Sequence, residues 1–158
     1  MSTRSVTLAV VSATVGLFLL YNAFWFIWRG AAFGRYCDGM ERAPHSNAAV
    51  PRHYATDADG YGYFVRYPDY LALIGYMTVM VPVDSEEEDA LGETLIIWRR
   101  LGGGREYGVL LFEGDGGRWV HIGPGGNALH GGDEDIAGRN GDVIKTLLKK
   151  AGDMWGIP

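Results

Sequence analysis

Two histidines and three carboxylates crowd one late stretch of the chain: His121, His130, Asp133, Glu134 and Asp135. Imidazole and carboxylate together can hold a divalent cation or relay a proton, so the group suits metal-assisted hydrolysis or general acid–base work. Such chemistry also needs a positioned nucleophile or a bound metal, and the sequence marks neither. The single cysteine, Cys37, lies far upstream, and no serine occupies a G-x-S-x-G turn. The five residues therefore read as binding candidates without a catalytic assignment, with a metal-dependent hydrolase as an alternative. A plainer account fits the same residues. An exposed histidine sits on a glycine-rich surface loop, and acidic residues lead into a helix whose N-terminal dipole favours negative charge. No cofactor is expected.

Other motif-like runs fail on spacing. Asp57 and Asp59 before Gly60 open like a calcium loop, but Pro68 or Arg66 falls where the bidentate glutamate belongs. Asp84, Glu86, Glu87, Glu88 and Asp89 lack the alternation and the glycine of such a loop and read as a solvated connection. Gly102, Gly103 and Gly104 are not followed by Lys-Ser or Lys-Thr, so they read as a hairpin turn rather than a phosphate cradle. Cys37, His45 and His53 lack the closely spaced ligand pairs of a zinc site. No metal is expected.

The element that organises the chain is the uncharged run from Ser5 to Trp28. As a helix it spans roughly 36 Å, more than a hydrocarbon core of about 30 Å. Tyr21, Trp25, Trp28 and Arg29, with Phe24 and Phe26, gather at its far end and suit an aromatic belt with a cationic stop at the headgroup level. The lipid bilayer is thus the expected partner of residues 5–28. A cleaved signal would have a shorter apolar region ending at small residues, whereas Arg29 separates this run from Gly30, Ala31 and Ala32. Arg4 stands before the run and Arg29, Arg35 and Arg42 behind it, which places the carboxyl domain on the cytoplasmic side of a single-pass cell-membrane protein.

The chain carries 14 Lys and Arg against 19 Asp and Glu, a formal net charge of −5. That balance argues against nucleic acid as a partner, because phosphate neutralisation needs clustered cations. Three segments follow from composition. Residues 1–29 are the transmembrane anchor, and 30–58 are a juxtamembrane linker interrupted by Pro44 and Pro51. Residues 59–158 form a single soluble domain.

That domain reads as strands followed by one helix. Tyr61, Tyr63, Val65 and Tyr67 alternate. Tyr70 to Val83 is a near-continuous apolar run broken at Gly75, and reads as a bent buried strand. Thr94 to Arg100 is apolar on both faces, which predicts a central strand. Tyr107 to Phe112 and Trp119 to Ile122 form a hairpin around a glycine-rich turn. Val143, Ile144, Leu147, Leu148, Ala151, Met154 and Trp155 repeat at helical spacing over about 141–155, with Asn140 as N-cap and Gly156 with Pro158 as the stop.

The expected fold class is α+β: one transmembrane helix, then an antiparallel meander of about five strands with the amphipathic C-terminal helix packed on it. The function this suggests is non-enzymatic. A membrane-anchored protein-binding or accessory domain would capture a membrane-proximal partner, with a free strand edge as one binding mode. The alternative to both this and the hydrolase is a small-ligand site between helix and sheet, lined by Tyr61, Tyr63, Trp98, Tyr107 and Trp119.

Overall fold

The computed structural model describes residues 3–43, 52–68, 74–81, 92–100, 103–113 and 116–157. His45, Pro44 and Pro51, the acidic connection Asp84–Asp89, and Gly102, Gly114 and Asp115 of the expected turns lie outside the described residues. The chain forms two compact units, Met1–Arg35 and Tyr36–Pro158.

The first unit is the helix α1, Thr3–Phe33. It is long and apolar enough to cross a membrane, a property that an N-terminal signal sequence can share. Ala31 and Ala32 propagate it past residue 29. Its polar side chains return to their own backbone. Thr14 Oγ1 donates to Val10 O at 3.0 Å and Asn22 Nδ2 to Phe18 O at 2.7 Å. Both donors are thereby satisfied without water, as a hydrocarbon environment requires. The residues expected at the headgroup level gather as a cluster. The Arg29 guanidinium lies 4.6 Å from the Trp25 ring centre and 4.8 Å from that of Phe26. Trp28 meets Phe33 edge-on at 6.2 Å, and Tyr21 stands one turn before Trp25 on the same helix.

The second unit is a seven-stranded antiparallel sheet in strict sequence order, a pure meander. Its strands are β1 Glu41–Arg42, β2 Arg52–Thr56, β3 Gly62–Arg66, β4 Ile74–Met80, β5 Thr94–Arg100, β6 Arg105–Glu113 and β7 Gly116–Ile122. Two helices follow, α2 Glu134–Arg139 and α3 Gly141–Trp155. The fold class is therefore α+β as expected, but the sheet has seven strands and not about five. The two additional strands lie within 30–58, where composition suggested a linker. They carry no hydrophobic alternation because β1 is only two charged residues and β2, RHYAT, is half exposed. Pairing across strands, His53 with Val65 and Tyr54 with Phe64, is what holds β2 in place. β4 also runs straight through Gly75, which pairs with Arg99, so the expected break there is absent.

Side-chain alternation divides the sheet into two faces. Tyr63, Val65, Met77, Val79, Leu95, Ile97, Tyr107, Val109, Leu111, Val120 and Ile122 share one face, and all are buried. α3 presses Ile144, Leu147, Ala151 and Trp155 onto that face, and α2 adds Ile136 and Ala137. Each such aliphatic side chain contributes about 1.5–3 kcal/mol by leaving water. Asn140 does not cap α3 through its side chain. Its Nδ2 instead donates to Ile136 O at 2.9 Å, closing the short α2, a helix too brief to show a period in the sequence. Gly156 ends α3 at φ 63°, a left-handed conformation open to glycine, with its N–H on Gly152 O.

Candidate functional site

The late loop folds back along β7. Gly123 N–H bonds Asn127 O, Gly126 N–H bonds Gly123 O, and Leu129 N–H bonds His121 O, each at 2.9 Å. Gly126 makes this turn at φ 83°. The fold-back sets His130 edge-on against His121, ring centres 5.6 Å apart, while Trp98 stacks on the other side of His121 at 6.1 Å.

The carboxylates go elsewhere. Arg118, which pairs across strands with buried Leu111 and so sits on the helix-covered face, donates to Asp133. Glu134 and Asp135 occupy the first turn of α2, where the helix dipole favours them. Thus His121 and His130 come together, and Asp133, Glu134 and Asp135 form a separate acidic start to a helix. Among the described residues no three His, Cys, Asp or Glu side chains are placed to hold a metal ion. Cys37 offers no substitute nucleophile, since burial raises its thiol pKa against the opposing hydrogen bond from Tyr67.

Asp57 and Asp59, rejected as calcium ligands, take part in a structural tie. Asp57 Oδ1 accepts the N–H groups of Asp59 and Tyr61 at 3.0 and 2.9 Å, fixing the β2–β3 turn. Its Oδ2 accepts from Lys150 Nζ at 2.7 Å and from Tyr63 OH at 2.8 Å, and Asp59 accepts a second bond from Lys150. The ammonium also lies 4.4 Å from the Tyr61 ring centre. Burial pushes the Asp57 pKa up, but the bonds from Lys150, Tyr63 and Tyr61 N–H outweigh it and hold the carboxyl below its ordinary value. Burial and the Asp57 carboxylate raise Tyr63, and the two carboxylates raise Lys150. A second tie holds the end of α3: Trp155 Nε1 donates to Tyr36 O at 3.1 Å, and Arg99 Nη1 donates to Tyr36 OH at 2.7 Å.

The five aromatic residues expected to line a small-ligand site between helix and sheet do not share one surface. Tyr63 and Tyr107 are core residues, Tyr63 meeting Trp155 edge-on at 5.7 Å, and Tyr61 lies under Lys150. Trp98 and Trp119 are on the opposite face, 6.3 Å apart. No described helix covers that face, and it holds a groove of about 330 Å³.

The strand register orders the groove in three rows across the sheet. Arg52, Arg66 and Tyr76 form the first, Phe64, Thr78 and Ile96 the second, and Met80, Thr94, Leu110 and Trp119 the third. Thr78, Thr94 and Leu110 are 7%, 5% and 8% exposed and form its floor, whereas Phe64 and Trp119, at 40% and 46%, are its walls. Beside it the Trp98 ring lies across Gly108, where a Cβ would stand only 2.7 Å from the indole. The signal for this surface was the two-sided apolar pattern of β5. A central strand predicts two covered faces, and the described helices cover one.

Among the described residues, the sheet edges are short at one side and bridged at a single residue at the other. β1 offers two charged residues, and Ala128 bridges Ile122 on the outer side of β7. Among known proteins, no family model, no curated protein and no solved structure matches the chain, so the groove stands on its own geometry.

Proposed function

We propose that this chain is a single-pass, membrane-tethered binding domain without catalytic chemistry, and that it takes a small apolar ligand in the groove on the open face of its sheet. The observation that carries the reading is the groove itself: a concavity of ligand size, apolar in its floor and walls, on a face that no described helix covers. The separation of the histidine pair from the carboxylates and the absence of a metal cluster among the described residues weigh against the hydrolase.

The helix α1 supplies the tether, and the arginine bias across it supports a cytoplasmic carboxyl domain. A tag at the carboxyl terminus should then survive external protease in intact cells, and its digestion would reverse the orientation. The ligand site is tested with the full chain, labelled with 5-fluorotryptophan, in phosphatidylcholine nanodiscs. Titration with 1-dodecanol should shift the fluorine resonance of Trp119 in the groove and leave that of Trp155 in the core unmoved. Equal, parallel shifts at both, or none at Trp119, would refute a groove ligand.

A further inference from the structure

We infer that the groove ligand is an uncharged single-chain lipid with a carbonyl close to one end, its oxygen seated on the Thr78 hydroxyl and its longer arm running toward Trp119. The inference deepens the ligand-site reading and rests on it. Its ground is the state of the polar side chains that line the groove. Arg52 and Arg66 already have partners within the molecule. Tyr76 OH accepts from Arg66 Nη1 at 3.3 Å, and Thr94 Oγ1 donates to Gly92 O at 2.8 Å. The Trp119 indole stands at the rim, 46% exposed and within reach of water. Thr78 is the exception. It is only 7% exposed and lines the groove, and among the described residues its hydroxyl makes no hydrogen bond.

A buried hydroxyl left without a partner costs free energy, and so does a ligand that displaces water from it without replacing the bond. A plain hydrocarbon over Thr78 would do just that. A carbonyl accepts the Thr78 proton and brings no donor of its own, whereas an alcohol brings a proton that must find an acceptor too. The register sets where along the chain the oxygen belongs. Thr78 pairs with Phe64 of β3 on one side and with Ile96 of β5 on the other. It therefore lies one strand spacing from the Phe64 wall and three from β7, which carries Trp119. At roughly 4.8 Å between strands, that is about 5 Å on one side against about 14 Å on the other. A volume of about 330 Å³ stands near the lower end of the roughly 300–1,000 Å³ range of small-ligand sites, which suits one chain rather than two. The proposed tether keeps such a groove beside the bilayer, into which uncharged lipids partition.

The same fluorotryptophan-labelled full chain in nanodiscs tests it. Dodecane, 3-dodecanol and 3-dodecanone are compared at equal bilayer concentration, with the Trp119 resonance as readout. The ketone should bind more tightly than both others, and on the order of fivefold more tightly than the alkane, the net worth of one neutral hydrogen bond. Thr78→Val keeps the branched shape without the hydroxyl and should bring ketone and alkane to parity, while Thr78→Ser should retain most of the preference. An unchanged Trp155 resonance in each variant shows that the core is intact. Thr78→Val should also leave Tm without ligand no lower than before, and a fall of several degrees would show that the fold itself uses the hydroxyl and would overturn its role here. A preference that survives in Thr78→Val would likewise remove the hydroxyl from the account. Parity of ketone and alkane in the unaltered chain, or binding of the alcohol as tight as that of the ketone, would overturn the carbonyl and leave the groove-ligand reading standing. Failure of all three probes to move Trp119 would overturn both readings.

Discussion

The two faces of this sheet are made by the same strands and differ in what lies over them. On one, Tyr63, Met77, Leu95 and Val109 alternate inward and are sealed by α3, so that their side chains are buried. On the other, Phe64, Ile96, Leu110 and Trp119 come from the intervening positions of those strands or their neighbours and line an open groove. Apolar area on the covered face stabilises the fold directly. Equivalent area left open contributes less to folding, and is the kind of contiguous exposed patch that marks an interaction surface. The contrast separates positions where substitution should break the fold from those where it should change only binding.

The largest effect is expected at Leu147, which is wholly buried between α3 and the sheet. Leu147→Asp puts a carboxylate where no water or partner can reach it, a cost of several kcal/mol, comparable with the whole stability of such a domain. A thermal melt of the full chain in nanodiscs, followed by near-ultraviolet circular dichroism, should lose its cooperative transition. A retained sharp melt would mean that α3 does not seal the core.

A smaller effect is expected where α3 is tied to the β2–β3 turn. Asp57 is held below its ordinary 3.8, so its contribution is present above that value and is lost as pH falls through the lowered one. Lys150 is raised above 10.5 and Tyr63 above 10.0, so theirs are present below those values and are lost as pH rises through the raised ones. Lys150→Met keeps the aliphatic stem and removes the charge. It should lower Tm by a few degrees across neutral pH, and the gap should narrow in acid as the pH falls through the lowered Asp57 value and the carboxylate is neutralised. A gap that persists unchanged in acid would show that the ammonium–carboxylate contact is not what Lys150 contributes.

Much of the covered face could be read before folding was known. The period of Ile144, Leu147, Ala151 and Trp155, the glycine-rich turn before β7 and the two-sided β5 each announce their element locally. What escaped is non-local or too short to show a period. β1 has two residues, and β2 is a strand only because β3 pairs with it. The tie from Lys150 carries no local signal because its partners Asp57 and Asp59 lie 93 and 91 residues away. Among the candidate site residues, His121 and His130 meet through a turn whose glycines were visible as a loop. That Arg118 takes Asp133 depends on which face of β7 it occupies, and hence on register. The groove was hidden for a related reason. Phe64, Ile96 and Leu110 each look like core residues, and only the placement of the described helices on one side shows that they belong to the other face.

The central claim is that difference between the faces, and hydroxyl-radical footprinting of the full chain in nanodiscs tests it most directly. Trp119 and Phe64 should be oxidised readily while Tyr63 and Tyr107 stay protected, and added 1-dodecanol should slow oxidation at Trp119 and Phe64 and leave Tyr63 and Tyr107 unchanged. Protection of Trp119 and Phe64 equal to that of Tyr63 and Tyr107 in the absence of ligand would contradict the account, because something would then already cover the groove face.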